Sequence, residues 1–360
     1  MKAFYPGVRK EQLPGGLGWA VGFLCHIDSL FPDSTNKRIN HLTDVYNEGV
    51  LEMSEKIIVT AALTGAIHTP TMSPHLPITP DEIVEEARRA SEAGASVLHI
   101  HARDPENGQP TSDIDLFGGI LSDVKNKCNA IICTTTGGGL GMTAEQRVSV
   151  VKAYSPELAS LNAGSLNFGL FQVLDKIKEF KFDWEPQYLN MTENFIFPNT
   201  FQTLREFTRF FSEEGTKPEF EIYDAGMLNN LAHLIDRGHV QKPVYLQFVL
   251  GILGGMQATV NNLVFLLNSA REIFGDEFVW SVCAAGKHQF KMCNLALLMG
   301  GNTRVGLEDN LYLEKGRMAK SSGEQVEKIV RIAKEHGLEP ASPDETREIL
   351  NLKGIEKVKY

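Results

Sequence analysis

The chain has 360 residues, of which 42% are hydrophobic and 22% charged, and its formal net charge is −10. This length exceeds a typical single domain but is common for one barrel of alternating strands and helices. An acidic chain without a cluster of Lys and Arg is unlike a nucleic-acid-binding protein, so we expect no nucleic-acid partner.

The cysteines and apolar stretches indicate a reducing, cytoplasmic compartment. The five cysteines are odd in number and include no Cys-x-x-Cys pair, which argues against a secreted disulfide framework. The apolar segment 244–253 is too short to cross a membrane, and the N-terminus lacks the apolar core and cleavage site of a secretory signal. We therefore expect a cytoplasmic protein with no membrane partner.

The first 52 residues differ from the rest of the chain: Gly and Pro recur, and helical periodicity is absent. We predict an N-terminal extension of unassigned role over residues 1–52. Residues 53–360 are predicted to form the catalytic domain.

From Lys56 onward, strand-like and helix-like segments alternate, which is the pattern of parallel βα units. The predicted strands are 57–63, a second that contains His99 and His101, 130–134, 158–162, 219–223, 245–250, 278–283 and 302–305. The predicted helices cover 79–93, 116–125, a segment from Thr143, 200–213, 227–237, a segment opened by Gly254-Gly255, 288–299 and 322–336, while 171–198 shows no clear pattern. Eight strands with intervening helices predict a (β/α)8 TIM barrel. The competing doubly wound sheet would carry Gly-x-Gly-x-x-Gly after the first strand, which is missing here.

His99 and His101 lie on the second predicted strand, in the sequence Val-Leu-His-Ile-His. Side chains alternate along a strand, so both imidazoles point to the same side. Such a pair chelates one metal ion without bending the backbone, and a carboxylate from elsewhere would complete a catalytic zinc set. Two hydrogen-bonded core histidines are the alternative.

Polar residues recur where the barrel strands end, which is where barrel enzymes carry their chemistry. They are Thr64, His99, His101, Thr135, Thr136, Asn162, Glu221, Asp224, Glu308 and Asp309, with Glu221 and Asp224 placed on strand five. Closure of the barrel places strand eight beside strand one, so Glu308 can reach the histidines as the third ligand. Arg304, inside a short apolar strand, needs Asp309 or Glu221 as a partner if buried. We expect a carboxylate beside Arg304 to have a lowered pKa and to act as a base.

The loop from Thr134 to Gly139 follows strand three and contains Thr135, Thr136 and Gly138. Its backbone N–H groups and hydroxyls are expected to face an anionic substrate, as in other backbone nests. A flexible strand-to-helix turn is the alternative.

Five motifs resemble the β-keto acid cleavage enzymes, typified by 3-keto-5-aminohexanoate cleavage enzyme. They are Thr60-Ala-Ala-Leu-Thr-Gly-Ala66, Leu76-Pro-Ile-Thr-Pro-Asp-Glu82, His99-Ile-His-Ala-Arg-Asp104, Leu161-Asn-Ala-Gly-Ser-Leu-Asn-Phe-Gly169 and Arg304-Val-Gly-Leu-Glu-Asp-Asn310. The resemblance runs from Lys56 to the C-terminal helix. It implies a (β/α)8 barrel with a divalent metal, usually Zn2+, that combines a β-keto acid with acetyl-CoA. It also implies a homo-oligomer, often a tetramer. Co2+, Mn2+ and Fe2+ remain open because ligand type does not fix the metal.

Carried over by motif, the resemblance implies a role for each site residue. The implied metal ligands are His99, His101 and Glu308. Asp309 is the base, Arg304 orients it, and Glu221 lies near that pair. The residues that contact or border the substrate are Thr135, Thr136, Gly138, Ser160 and Asn162. In the implied mechanism zinc polarises the keto group and Asp309 removes a C2 proton. The enolate attacks the acetyl-CoA carbonyl and releases CoA. CoA then adds to the other carbonyl, and retro-Claisen cleavage of its bond to C2 leaves acetoacetate and a new acyl-CoA.

Ile67 departs from the pattern of the amino-keto acid enzyme, which has a glutamate after Thr-Gly-Ala to meet the substrate amino group. Without that charge a buried cationic substrate would lose roughly 1 to 3 kcal/mol. We therefore expect a β-keto acid with a neutral or apolar tail.

Two other functions compete with this interpretation. A metal-dependent barrel hydrolase also uses His-x-His but commonly adds a strand-four Lys and further His ligands on strands five and six, whereas here strand four ends in Leu161-Asn162. A noncatalytic protein that binds a metal or acyl-CoA would not need the paired Arg304 and Asp309.

Overall fold

Eight parallel strands pair in chain order and close into a barrel. In this computed structural model, which describes residues 56–360, the barrel strands are β1 Val59–Ala62, β2 Val97–Ile100, β3 Ile131–Thr134, β4 Leu158–Asn162, β5 Lys217–Ile222, β6 Val244–Leu250, β7 Phe278–Ala284 and β8 Asn302–Val305. The predicted TIM barrel is confirmed, with strand bounds within two residues of those expected. The predicted extension over residues 1–52 lies outside the described residues.

The barrel closes where β8 pairs with β1. Thr303 lies beside Val59, Arg304 beside Thr60 and Val305 beside Ala61, while Ala62 lies beside His99 on β2. Residues near the end of the chain are therefore two strands away from the histidine pair.

Helices follow the strands and cover the barrel. They are α1 Pro80–Glu92, α2 Ile114–Lys127, α3 Ala144–Tyr154, α4 Trp184–Met191, α5 Phe201–Glu213, α6 Ala225–Asp236, α7 Val260–Phe274, α8 Gln289–Leu298, α9 Ser322–Glu335 and α10 Pro343–Leu350. The predicted start of α1 is confirmed: Thr79 and Glu82 form a reciprocal capping box with Pro80 at the first position. None of the helices within residues 56–360 is long and apolar enough to cross a membrane.

The barrel interior is apolar at the end where the strands begin. Ile58, Val97, Ile131, Leu158 and Tyr245 pack there with Leu350 of α10 as one buried cluster. Their strand neighbours face outward and pack against the helices in a larger cluster. This division follows from the alternation of side chains along each strand. It leaves the opposite end of the barrel to polar groups.

Two local predictions are wrong. Gly254 and Gly255 do not open a helix, because α7 begins at Val260 after its N-cap Thr259. Gly254 instead lies in a turn with φ +110°, where a Cβ would stand 1.7 Å from the Asn167 carbonyl oxygen. Asp224 is not on strand five; its carboxylate caps α6 by accepting from Met227 N–H at 3.2 Å.

The segment without a predicted pattern forms a covering structure over the barrel mouth. It contains a 3-10 helix at Phe171–Lys176 and helix α4, and its Ile196–Phe197 pairs antiparallel with Leu166–Asn167, which precede the segment. Tyr188 of α4 donates to the Ala66 carbonyl at 2.9 Å and accepts from Leu140 N–H at 3.3 Å. The covering structure is thereby joined to the loops that follow β1 and β3.

Candidate active site

His99 and His101 meet at the C-terminal end of β2. His99 is the third residue of that strand, and His101 comes directly after the strand ends. The two residues are two positions apart, so both rings point into the barrel mouth. Their Nε2 atoms lie 3.2 Å apart, and the side chains are only 1% and 6% exposed. Two ring nitrogens therefore converge on one point.

Glu308 completes the group from the far end of the barrel sequence. Its Oε2 lies 3.6 Å from His99 Nε2, and its Oε1 lies 3.5 Å from His101 Nε2. The backbone directs it there, because Glu308 N–H donates to the Ala62 carbonyl of β1 at 3.2 Å. The structure thus brings together the three predicted metal ligands.

The spacing and charge of the three side chains fit a divalent ion. Ligand atoms about 2.0–2.1 Å from a tetrahedral ion are roughly 3.3 Å apart, close to the separations seen here. Burial holds the pKa of His99 well below its usual range, so its ring is neutral and offers a lone pair. Burial raises the pKa of Glu308, but Arg304 and the imidazoles outweigh it and hold that pKa well below the usual range. Oε2 of Glu308 is buried without a hydrogen-bond partner among residues 56–360.

Arg304 connects three carboxylates beside the candidate metal site. Its Nε and Nη2 donate to both oxygens of Asp309 at 2.9 and 3.0 Å. Nη2 also lies 2.8 Å from Glu308 Oε1, and Nη1 donates to Glu221 at 3.3 Å and to Gln247 at 3.0 Å. The guanidinium is 3% exposed. Its fixed fork therefore determines where each carboxylate stands.

Asp309 has a raised pKa, which corrects the prediction of a lowered one. Burial raises it first and the negative Glu308 adds to this, so that despite Arg304 the pKa of Asp309 is about 6. Burial likewise raises the pKa of Glu221 to about 7. A carboxylate with a pKa near 6 is mostly ionised at neutral pH and is a stronger base than an exposed aspartate.

A cavity of about 280 Å3 opens in front of these groups. Among the predicted substrate residues, those that line it are Ile67, Thr135, Gly138, Ser160 and Asn162. Thr136 does not line it, because its hydroxyl donates to the Ser160 carbonyl at 2.6 Å.

The expected anion nest in the loop after β3 is occupied by the loop itself. The N–H groups of Gly137 and Gly138 donate to the Thr135 hydroxyl at 2.9 and 3.3 Å. The Gly139 N–H faces the Met142 sulfur at 3.1 Å. The loop therefore offers the Thr135 side chain to the cavity, and its amides are used internally.

A family model described as beta-keto acid cleavage enzyme matches residues 56–352. The chain belongs to the β-keto acid cleavage enzyme family. Curated relatives agree along nearly their whole length. One is 3,5-dioxohexanoate:acetyl-CoA acetone transferase of Paraburkholderia graminis, 43% identical over 85% of this chain and 98% of the relative. Another is 3-keto-5-aminohexanoate cleavage enzyme of Fusobacterium nucleatum, 41% identical over 84% of this chain and 100% of the relative.

Solved structures share the fold of this β-keto acid cleavage enzyme. The apo structure of ObcA superposes with a TM-score of 0.63 at 23% identity, over 78% of this chain and 66% of that chain. At this identity the likeness concerns the barrel alone.

Sequence reasoning missed the outer wall of the cavity and the residue that supports its first loop. The missed apolar lining residues are Phe168, Leu170, Val173, Phe197 and Leu253. They come from loops and from the covering structure, whose sequence has no periodicity that would have revealed them.

Arg103 was also missed as a support residue, although it belongs to the His99–Asp104 motif. It is fully buried and donates to the Thr64 hydroxyl and to the carbonyls of Thr64, His68 and Gly108. An Arg two residues after His101, in a segment, 97–103, that is otherwise apolar apart from the two histidines, was the available signal. Arg103 holds the loop that presents Ile67.

Proposed function

We propose that this chain condenses a β-keto acid with acetyl-CoA and releases acetoacetate and a new acyl-CoA. The observation that carries the proposal is the arrangement around Glu308 and Asp309. The Glu308 carboxylate lies 3.5–3.6 Å from the two imidazoles, while both oxygens of Asp309 accept hydrogen bonds from Arg304. The names of the two relatives, an acetyl-CoA transferase and a keto acid cleavage enzyme, support the same reaction class.

His99, His101 and Glu308 would hold a divalent metal ion, for which we propose Zn2+. When bound, such an ion supplies Lewis-acid stabilisation of the negative charge that develops on the keto oxygen. The neutral imidazoles and the ionised carboxylate are the protonation states that ligation requires. Co2+, Mn2+ and Fe2+ use the same ligand types, so the metal identity needs measurement.

Asp309 takes the C2 proton of the keto acid. The C2 carbon then bonds to the acetyl carbonyl carbon, and CoA leaves as its thiolate. When the thiolate adds to the other carbonyl, the C2 bond to it breaks and Asp309 returns the proton to C2. Arg304 keeps the Asp309 carboxylate in one orientation throughout, while Glu221 and Gln247 hold the far side of Arg304.

Thr135, Ser160 and Asn162 are proposed to contact the substrate, because they line the cavity beside the histidines. We propose that the tail of the substrate is uncharged, since Ile67, Met72, Phe168 and Leu170 give the cavity an apolar lining. The relative that is 43% identical is named for 3,5-dioxohexanoate, a keto acid with an uncharged tail.

We also propose that residues 53–360 form the catalytic domain of a cytoplasmic homo-oligomer, often a tetramer in this family. The barrel accounts for the described residues 56–360. Sedimentation equilibrium of the full chain tests the assembly: a mass of one chain at every concentration contradicts it.

A panel of β-keto acids with acetyl-CoA tests the reaction and the substrate class together. The panel contains 3,5-dioxohexanoate, an unsubstituted 3-oxo acid of the same length and 3-keto-5-aminohexanoate, and acetoacetate and acyl-CoA are measured by mass. We expect both products in equal amounts, with kcat/KM for the neutral acids roughly 10-fold or more above that of the amine. No acetoacetate from any acid contradicts the reaction, and preference for the amine contradicts the substrate class.

A further inference from the structure

A second buried polar group lies beneath the candidate metal ligands. His99 uses Nε2 toward His101 and Glu308. Its other ring nitrogen, Nδ1, is buried and has no hydrogen-bond partner among residues 56–360. A ring that binds a metal through Nε2 must carry its proton on Nδ1, and that proton needs an acceptor.

Glu219 brings a carboxylate to the same place. It stands two residues before Glu221 on β5, so its side chain points into the barrel as that of Glu221 does. Glu219 is fully buried, and its Oε2 has no hydrogen-bond partner among the described residues. One ligand atom from each of His99, Cys133 and Glu219 lies within 4.8 Å of the others. The Cys133 thiol faces the second oxygen, Oε1, at 3.7 Å.

Within residues 56–360, Glu219 lacks the ion pair that usually accounts for a buried glutamate. Glu157, which is also buried, accepts from Arg347 at 2.9 and 3.0 Å through its two oxygens. The ion pairs of Arg304 reach Glu221, Glu308 and Asp309 but not Glu219. Burying an unpaired polar group is costly, which favours a hydrogen-bond partner for Oε2 of Glu219.

We propose that Glu219 is a positioning residue for the metal centre, which accepts the Nδ1–H of His99 directly or through one water molecule. A span of 4.8 Å or less is within reach of a single bridging water. The acceptor fixes the ring tautomer, so that Nε2 presents its lone pair beside His101 and Glu308. This inference rests on the proposed metal function of His99.

Metal affinity and the spectrum of the Co2+-loaded protein test the proposal. The variants are Glu219→Gln, which keeps the shape, and Glu219→Ala, with Glu157→Gln as a matched control for loss of a buried carboxylate. Co2+ binding to the apo full-length protein is measured by competition with a chelator. Replacement of such supporting groups typically weakens metal binding about 10–100-fold. We expect that loss and shifted visible absorption bands in both Glu219 variants, and neither change in Glu157→Gln.

The thermal unfolding temperature of each apo variant shows whether the substitution disturbs folding. If apo Glu219→Gln and apo Glu157→Gln unfold at the same temperature, weaker Co2+ binding by Glu219→Gln alone reflects positioning of the ligand and not loss of stability. Wild-type affinity and spectrum in both Glu219 variants would overturn the proposal. Two metal ions per wild-type chain, reduced to one in Glu219→Ala, would also overturn it, because Glu219 would then be a ligand.

The His101→Ala variant distinguishes this inference from the proposed function. If Co2+ binding is lost in His101→Ala but intact in the Glu219 variants, only the present inference fails. If wild-type protein binds no Co2+, or His101→Ala binds it normally, the metal centre itself fails and the inference with it.

Discussion

Arg304 makes a cluster of three buried carboxylates possible at the barrel mouth. Carboxylates this close repel one another, and removing each from water is costly. The guanidinium contacts Glu221, Glu308 and Asp309 at 2.8–3.3 Å, yet it does not hold them in one protonation state. The pKa of Glu308 lies well below the usual range while that of Asp309 is about 6, the first suited to a ligand and the second to a base.

Asp309→Asn tests whether Asp309 is the proposed base without changing the three proposed metal ligands. The amide keeps the size of the side chain but cannot accept the C2 proton, so we expect kcat to fall about 10²–10⁴-fold. Metal content, measured by elemental analysis, should remain that of the wild type because the proposed ligands are untouched. Asp224→Asn is the matched control, since Asn caps α6 as well as Asp does. Undiminished kcat in Asp309→Asn would reject the assignment of the base.

Ile67→Glu tests the residue that we propose selects the substrate tail. A carboxylate at this position would face the amino group of 3-keto-5-aminohexanoate, and a charge-assisted hydrogen bond contributes about 1.5–3 kcal/mol. We expect the ratio of kcat/KM for the amine to that for the neutral acid to rise roughly 10–100-fold. Ile67→Gln adds similar bulk without charge and should change the ratio far less. An unchanged ratio in Ile67→Glu would show that residue 67 does not meet the tail.

At the scale of single elements, the sequence predicted what has local signals. The strands and most helices carry apolar periodicity and caps, so their bounds agree within two residues. No structure could be predicted for residues 171–198, because their conformation depends on contacts such as that of Tyr188 with Ala66, which no local pattern encodes. The prediction of a helix start at Gly254-Gly255 was wrong for a related reason, because Gly254 allows a close approach to the Asn167 backbone.

Gly65→Ala should disturb the proposed metal centre through the loop that follows β1. Gly65 has φ +60°, and an added Cβ would stand 2.2 Å from Cγ of Glu308, so that side chain must move. We expect apparent metal affinity to weaken by about 10-fold or more, as for other changes around a ligand. Gly238→Ala is the control, with φ +74° and open space around its Cβ. Equal affinities in the two variants would contradict a contact between the loop and Glu308.

Glu86 links α1 to the start of α9 in a pH-dependent way. Its carboxylate accepts from Ser322 N–H, yet burial outweighs that bond and raises the pKa of Glu86. A raised folded-state pKa means that the stabilisation is present below the unfolded value near 4.5 and is lost as pH rises through the folded value. The free energy of unfolding of wild type minus that of Glu86→Gln should therefore fall as the pH rises above the unfolded value near 4.5.

Urea unfolding at several pH values measures this difference. Exposed Glu327→Gln on α9 serves as the comparison, because it changes the same charge without burial. A difference that grows with pH for Glu86→Gln would mean that the ionised form is the one stabilised by the fold.

At the scale of the barrel, the end where the strands begin is packed with apolar side chains that stabilise the fold, and the opposite end carries the candidate active site. Leu350 of α10 is 1% exposed and joins the apolar cluster inside the strand-starting end. Truncation of a buried leucine costs about 2–5 kcal/mol, so Leu350→Ala should lower the free energy of urea unfolding by that amount. KM should not change, because Leu350 does not line the cavity.

Ile349→Ala provides the neighbouring control. Ile349 is 38% exposed, and such surface changes usually stay within about 0.5 kcal/mol. Equal destabilisation by the two substitutions would mean that α10 contributes through its surface and not by plugging the barrel.

The candidate site was predictable to the extent that it follows from barrel closure. Once β8 is known to pair with β1, Glu308 must approach His99, and the sequence was sufficient for that step. The raised pKa of Asp309 and the use of the Gly137 amide within the loop after β3 were not predictable, since both depend on burial and neighbours that arise only in three dimensions.

Pairing of the last strand with the first also decides when a metal can be held. A ribosome-bound chain that has made only the first half of the barrel displays both imidazoles but no carboxylate to join them. The proposed ion can be held by all three ligands only after β8 has formed, and it would then join the first strand pair of the barrel to its last strand. The binding energy of such an ion would stabilise the closed barrel as a whole, so a chelator should lower the free energy of global unfolding and not that of a single loop.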